Sequence, residues 1–248
     1  MKNEPTHKVR RSAVNTSVIV PAYMEGKLLE TNIPIIHKEL EKLGEKFEII
    51  VSAEGRDNTP DIMNALMKKY KNLKFVYSEK RLGKGGGIEN GLTQANGVFI
   101  IFMDADLSVN PSYTKNVLQL LENYDIVVAS RYNPVSRIKR SKTRAFLGAS
   151  YSVFVRIILR TGVRDNQCGF KGFRREVLEN IVGKVKNKGW FWDTEVLFRA
   201  RKADYTTAEF PISWYEREES NVHVVDNIFE MFFAVTKLYF KSLFRKNS

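Results

Sequence analysis

The sequence predicts an α/β fold: a mainly parallel central sheet flanked by helices, with amphipathic helices toward its C-terminal end. Three observations lead there. Short apolar runs alternate with segments whose apolar residues recur three and four apart, the pattern of βαβ units. The run at residues 98–103 holds six apolar residues without alternation, which suits a strand buried on both faces of a parallel sheet. At 248 residues, 43% hydrophobic and 12% aromatic, the chain can bury the core of one large domain.

Strands are expected at residues 17–20, 47–51, 73–77, 98–103 and 126–129. The first ends at a proline turn, Pro21-Ala22-Tyr23-Met24-Glu25. Between strands, Ile62-Ala65-Leu66-Lys69-Tyr70 and Tyr113-Val117-Leu118-Leu121 keep helical spacing. Arg81 to Gly87 is a glycine-rich segment from which a helix can begin. After Asn133-Pro134 the character changes. Arg137, Lys139, Arg140, Lys142 and Arg144 form a basic cluster that runs into the apolar residues 145–159, together an amphipathic interface segment at about 137–160. A Gly-rich loop at 168–172, an aromatic segment at 190–192 and a short strand near 210–214 follow. The last helix, about 226–244, carries Phe229, Phe232, Phe233, Phe240 and Phe244, with Lys237, Lys241 and Arg245 on one face. The expected organisation is a flexible basic N-terminus at 1–15, one domain at 16–222 and a C-terminal amphipathic helix at 223–248.

Forty basic against 28 acidic residues give a net charge of +12, which calls for anionic partners. Nucleic acid is one class the charge admits, but no nucleic-acid-binding module is present and the cations flank apolar helices, so no nucleic acid is expected. The single cysteine, Cys168, excludes an internal disulfide and reads as a small buried hydrophobe. The N-terminal residues lack an apolar signal core, and no uncharged stretch approaches the roughly 20 residues that span a bilayer. The protein is therefore expected inside the cell, peripheral on the cytoplasmic face of a membrane, with its basic amphipathic helices on an anionic surface. The same apolar faces also suit completion of the core. His7, His37 and His223 have no metal-ligand spacing and read as structural or exposed.

Asp104 and Asp106 follow directly on the 98–103 strand. Ligands bind beyond the carboxyl ends of such strands. In an extended chain residues i and i+2 face the same way, so both carboxylates can reach one hard cation, Mg2+ or Mn2+, that bridges a diphosphate. Taken alone, the motif also fits an acidic turn. The strand, turn, aromatic and acid of residues 17–25 are arranged to hold a base or ribose. In the glycine segment Lys84 can add positive charge, and a helix start there presents free N–H groups to phosphate. A plain flexible loop fits as well, and P-loop spacing is absent.

Together these motifs resemble the family 2 inverting glycosyltransferases of the GT-A, Rossmann-like fold, with Met24 where the family pattern has Asn. Ser130-Arg131-Tyr132, the Asp165 to Lys171 string, Trp192 to Leu197 and Glu209 to Trp214 resemble the polyprenyl-phosphate sugar synthases, and the dolichyl-phosphate β-glucosyltransferases more than the mannosyl enzymes. The resemblance covers residues 17–222. It implies transfer of one sugar from a nucleotide-diphosphate sugar, UDP-glucose favoured, to a polyprenyl (dolichyl-type) phosphate with inversion.

By the same resemblance Pro21, Ala22, Tyr23, Glu25, Glu54, Lys84, Asp104, Ala105 and Asp106 bind the donor. Asp106 ligates the metal, and Asp104 holds the ribose or shares the ion. Arg131 and Arg144 grip the acceptor phosphate. Asp193 and Glu195 occupy the position of the catalytic base in relatives that glycosylate hydroxyls; for a phosphate acceptor they position the donor sugar. As residues alone they also suit a helix start with Asp193 as N-cap. Two departures stand out: Ala53 to Asp57 replaces the usual Asp-Asp-Gly-Ser loop, so that Glu54 or Asp57 must supply its contact, and Ser220-Asn221-Val222 replaces Ser-Lys-Leu. The alternative acceptor is a hydroxyl on a glycan or protein, which needs a base.

Overall fold

The computed structural model describes residues 14–215 and 224–244, with side chains of the last helix described over 230–243. The strands are β1 (Thr16–Tyr23), β2 (Phe47–Glu54), β3 (Leu73–Ser78), β4 (Phe99–Phe102), β5 (Ile126–Ser130), β6 (Arg137–Lys139), β7 (Lys171–Arg174), β8 (Thr207–Pro211) and β9 (Ser213–Tyr215). The helices are α1 (Gly26–Glu41), α2 (Thr59–Lys69), α3 (Lys84–Leu92), α4 (Thr114–Leu121), α5 (Lys142–Leu159), α6 (Arg175–Val182), α7 (Trp192–Lys202) and α8 (Val224–Phe244).

Seven strands form one sheet in the order β3-β2-β1-β4-β7-β5-β8. All its pairings are parallel except those of β7, which runs antiparallel to both β4 and β5. Five of these strands are the apolar runs read in the sequence. The sheet is covered on both faces, which explains why those runs do not alternate. One face packs Leu29, Ile33 and Ile36 of α1, Met63 of α2 and Val117 and Leu121 of α4. The other packs Ile88 of α3, Leu178 and Ile181 of α6 and Trp192 and Val196 of α7.

Three expectations are corrected. Pro21 does not end β1, which stays paired with β2 as far as Tyr23 and Glu54. The pairing with β4 stops at Ile19 and Phe102, so the missing proline N–H falls on the side that β4 has already left. The Gly-rich loop at 168–172 is in part β7, the inserted antiparallel strand. Asn15 belongs to the domain: its N–H donates to Lys46 (2.8 Å) and its carbonyl accepts from Phe99 (2.9 Å).

A third apolar cluster joins α5, α7 and α8 through Tyr151, Val155, Phe191, Phe198, Phe232 and Val235. The inner faces of the two amphipathic helices thus do complete a core. Their outer faces stay apolar as well, with Phe146, Val153 and Ile157 on α5 and Phe233, Phe240 and Leu243 on α8 exposed. Arg245, the Ser220-Asn221-Val222 departure, the residues before Val14 and the side chains of Phe229 and Phe244 lie outside the described residues.

Candidate active site

The parallel strands end together, and Tyr23 and Glu54 at the ends of β1 and β2, with Asp104 and Asp106 just beyond β4, lie at that edge. Leaving β4, the chain turns at Asp104-Ala105-Asp106. The buried Asn32 of α1 donates its Nδ2 to the Ala105 carbonyl (2.7 Å), which ties the turn between the two acids to the core. Asp106 closes a local turn of its own, accepting from the Ser108 N–H (2.8 Å) and Oγ (2.7 Å). Burial, and then the charge of Asp104, raise the Asp106 carboxyl above the usual range. Two carboxylates that repel each other in a half-buried turn favour a cation between them. Among the described residues no group of three or more His, Cys, Asp or Glu gathers to hold an ion. Two acidic side chains at this turn, with phosphate and water in the remaining positions, would make a donor set that fits Mg2+ or Mn2+ on a diphosphate.

Glu25 stands near the same acids. Burial, then the charges of Asp106, Asp104 and Asp57, push its carboxyl up to about 7 against the N–H of Tyr23. Tyr23 is 43% exposed, and the Arg81 guanidinium lies over its ring at 4.6 Å, a flat cationic shelf open to an aromatic ligand.

Glu54 takes a structural part. It is buried, and its Oε2 accepts the N–H of Leu82 and of Gly83 (3.0 Å), shaping the turn into α3. Asp57 is also engaged, bonding the N–H (3.1 Å) and hydroxyl (2.8 Å) of Thr59 at the start of α2. The α3 start differs from the expected open phosphate cradle. The Gly86 N–H donates to the Lys188 carbonyl (3.0 Å), and a Cβ on Gly85 would lie 2.3 Å from the Trp192 ring. These glycines let α3 close on α7, and what the segment sends into the site is Lys84.

Lys84 Nζ lies 3.2 Å from Asp104 Oδ1 and 3.5 Å from Asp193 Oδ2. Lys171 reaches the other Asp193 oxygen at 2.5 Å and also donates to the Cys168 carbonyl (2.6 Å). Burial works against the Lys84 charge, but Asp104 and Asp193 outweigh it and hold the ammonium above its ordinary value. Burial likewise opposes the Asp193 charge, and Lys171 and Lys84 outweigh it, so the carboxyl sits below the usual range. Helix α7 begins one residue before Asp193, which is therefore an ion-paired residue of the first turn and not its N-cap.

Glu195 is turned elsewhere. One of its oxygens accepts from the N–H groups of Lys186 (3.1 Å) and Asn187 (2.9 Å), the other from Arg199. With both oxygens occupied it pins the 186–187 turn to α7. Arg131 is locked as well. Its guanidinium grips both oxygens of the fully buried Asp165 at 2.8 and 2.9 Å, and its backbone N–H adds a third bond (2.9 Å). Asp165 Oδ1 accepts the Gln167 N–H, and the Gln167 side chain donates to Thr194 Oγ1 (2.8 Å), beside Asp193. Arg131 also lies over the Trp214 ring at 5.7 Å, and Arg140 over the same ring at 5.6 Å. Arg144 sits half-buried in the first turn of α5, where its N–H donates to the Ser141 cap (3.4 Å).

Lys171, Gly169, Asn32 and Arg81 carry no site role in the sequence reading, although three of them lie inside the motifs it names. A lysine inside Phe170-Lys171-Gly172-Phe173 and an asparagine on the apolar face of α1 were the signals available for two of them.

Residues 17–182 match the sequence model of the family described as Glycosyl transferase family 2. The chain belongs to this family. As a family 2 glycosyltransferase it is 33% identical over 225 residues to Glycosyltransferase AglD of Haloferax volcanii, a match that covers 89% of this chain and 36% of the archaeal one. The chain therefore spans about a third of that relative's length. It is 28% identical over 243 residues to the dolichyl-phosphate beta-glucosyltransferase of Dictyostelium discoideum, covering 92% of this chain and 74% of that one. The GT-A fold is shared with the crystal structure of glucosyl-3-phosphoglycerate synthase from Mycobacterium tuberculosis in complex with Mn2+ and UDP-glucose, at a TM-score of 0.65 and 17% identity over 90% of this chain and 78% of that one. No helix of the glycosyltransferase is long and apolar enough to cross a membrane among the described residues.

Proposed function

We propose that this family 2 glycosyltransferase moves a single glucose from UDP-glucose to a polyprenyl (dolichyl-type) phosphate with inversion, at the cytoplasmic face of a membrane. The observation that carries the acceptor class is the state of Asp193. A general base works best with a pKa near the operating pH. Asp193 is buried, ion-paired with two ammonium groups and held below the ordinary carboxylate range. A hydroxyl acceptor would ask it to accept a proton in that setting. A phosphate monoester arrives already largely ionised at neutral pH, its second pKa being near 6. Lys84, between Asp193 and Asp104, then bridges the acceptor side of the site to the donor side.

In this reading Asp104 and Asp106 hold Mg2+ or Mn2+, which supplies charge neutralisation for the departing diphosphate. The Tyr23 and Arg81 shelf takes the base, Pro21, Ala22 and Ala105 form the backbone floor, and Glu25 lies beside the ribose. Arg131 and Arg144 meet the acceptor phosphate, with Arg131 offering the guanidinium edge that Asp165 leaves over. The relatives named dolichyl-phosphate beta-glucosyltransferase support both sugar and acceptor. The outer faces of α5 and α8 support contact with a lipid surface, because Phe146 and Phe233 are 72% and 70% exposed beside a basic cluster.

The test is direct: purified protein, UDP-glucose, Mn2+ and a short polyprenyl phosphate should yield a lipid-linked glucose. Transfer to a free alcohol or a glycan with none to the polyprenyl phosphate overturns the acceptor assignment, and turnover with GDP-mannose in place of UDP-glucose overturns the donor.

A further inference from the structure

Beside the chain that leaves β5, with Asn133 in its lining, a cavity of about 590 Å3 opens where α5 and α7 end. Four arginines line it: Arg156 in the last turn of α5, Arg160 at its C-cap, Arg164 in the loop that follows and Arg201 near the end of α7. Arg201 lies eight residues beyond Asp193 on α7, about 12 Å along the helix axis. Its lining includes neither the acid pair of the β4 turn nor Lys84 and Asp193.

The charges in it do not balance. Among the described residues none of the four guanidinium groups forms an ion pair. The one carboxylate in the lining, Glu209, already accepts through Oε1 from the N–H groups of Arg164 (2.8 Å) and Asp165 (3.0 Å). The ordinary account of cations at helix C-termini is that they complement the helix dipole. Each helix end supplies only about half a negative charge. With two ends and Glu209 counted, about two positive charges remain. Exposed guanidinium groups that repel one another around a cavity of ligand size need an anion of about that charge.

We propose that this four-arginine cavity is a second anion site, which binds a phosphate-bearing compound of about two negative charges: a phosphomonoester or a diphosphate. A phosphomonoester carries about −1.5 to −2 charges at neutral pH and a diphosphate two or more, and guanidinium forks match the oxygens of both. Two sources share this chemistry. A free phosphorylated metabolite can enter from solvent. A lipid head group can enter from the surface, since Val153, Ile157 and Arg160 follow at i, i+4 and i+7 and put Arg160 at the end of the exposed apolar row of α5.

The experiment uses the full-length protein in chelator, so that the acid pair holds no metal. Inorganic diphosphate is titrated calorimetrically into the wild type, the double variant R160E/R201E and the milder R160Q. The wild type should bind in a salt-sensitive manner, R160Q more weakly, and R160E/R201E at least about tenfold more weakly, with unchanged thermal midpoints showing that the variants fold. In the second arm the protein is sedimented with phosphatidylcholine vesicles that carry phosphatidic acid, or phosphatidylserine at matched surface charge. A preference for the phosphomonoester lipid that R160E/R201E abolishes assigns the site to a head group. Loss of diphosphate binding without any such preference assigns it to a free anion. Equal behaviour of wild type and variants in both arms overturns the proposal and leaves the arginines as complements of two helix ends.

Discussion

The Asp104 carboxylate rests against the backbone of Gly169, so closely that a Cβ on Gly169 would lie 1.6 Å from Oδ2. The glycine is what lets the loop before β7 close over the acid pair while Asp104 keeps its contact with Lys84. Gly169→Ala should swing Asp104 out of place. Because Asp104 is half-exposed, the fold should survive, whereas turnover should fall by about a hundredfold, the scale on which an ångström of misplacement acts. A parallel measurement of turnover and thermal midpoint separates the two, and an active G169A would show that Asp104 needs no fixed position.

Glu25 links stability to pH. Its carboxyl is raised to about 7 in the folded protein from an ordinary value of 4.5. A raised acid binds its proton more tightly when folded, so its contribution to stability is full below the ordinary value and is lost as pH rises through 7. Glu25→Gln removes that loss. Urea unfolding should find E25Q more stable than wild type by roughly 2–3 kcal/mol above neutrality and similar to it near pH 4.5. A constant difference across that range would mean that Glu25 does not titrate as its surroundings imply.

The Arg131 and Asp165 pair behaves in the opposite sense. Burial opposes the Asp165 charge and Arg131 outweighs it, so the carboxyl sits below its ordinary value and contributes stability that is lost as pH falls. Arg131→Met leaves Asp165 buried without its partner, which should cost about 3–5 kcal/mol at neutral pH. The deficit should narrow in acid, where Asp165 can take up a proton, and R131M/D165L should recover a large part of it. Denaturation curves at two pH values check this.

The exposed apolar rows of α5 and α8 lead to a prediction about vesicles. Phe146 and Phe233 make little contact with the rest of the domain, so F146S/F233S should keep the fold and the thermal midpoint. Its partition onto anionic vesicles should fall by about tenfold or more, since each buried aromatic ring is worth roughly 1.5–3 kcal/mol. Unchanged cosedimentation would remove these helices from the lipid contact.

Five strands were legible because a strand covered on both faces carries an unbroken apolar run. β7 was not, because it is four residues long and holds Lys171 and Gly172 where a buried strand ordinarily shows branched aliphatics. The charge of its lysine is balanced by Asp193, a partner 22 residues away that no local pattern reveals. Pro21 read as a terminator because the rule concerns a ladder that continues on both sides, whereas here one neighbour has left. Lys84 and Asp104 meet at 3.2 Å because one opens a helix and the other follows a strand end, positions that a sequence pattern marks. Glu195 was read with Asp193 as a base or a holder of the donor sugar, and the Arg199 at i+4, the spacing at which the two pair on a helix, was the local sign of its other engagement. Gly85 looked like a phosphate contact, and only the folded chain shows the Trp192 ring above it.

The position of β7 also dictates how the chain must be assembled. Its neighbours β4 and β5 come earlier in the sequence, and neither bonds the other; among the described strands β5 pairs only with β7 and the still later β8. A ribosome that has released the first 130 residues has therefore delivered a four-stranded half-sheet open along β4, a β5 that still lacks both strand partners, and an acid pair without its cover. Nucleotide recognition by a fragment that stops short of β7 should accordingly fail, and splitting this molecule into a donor half and an acceptor half would destroy both.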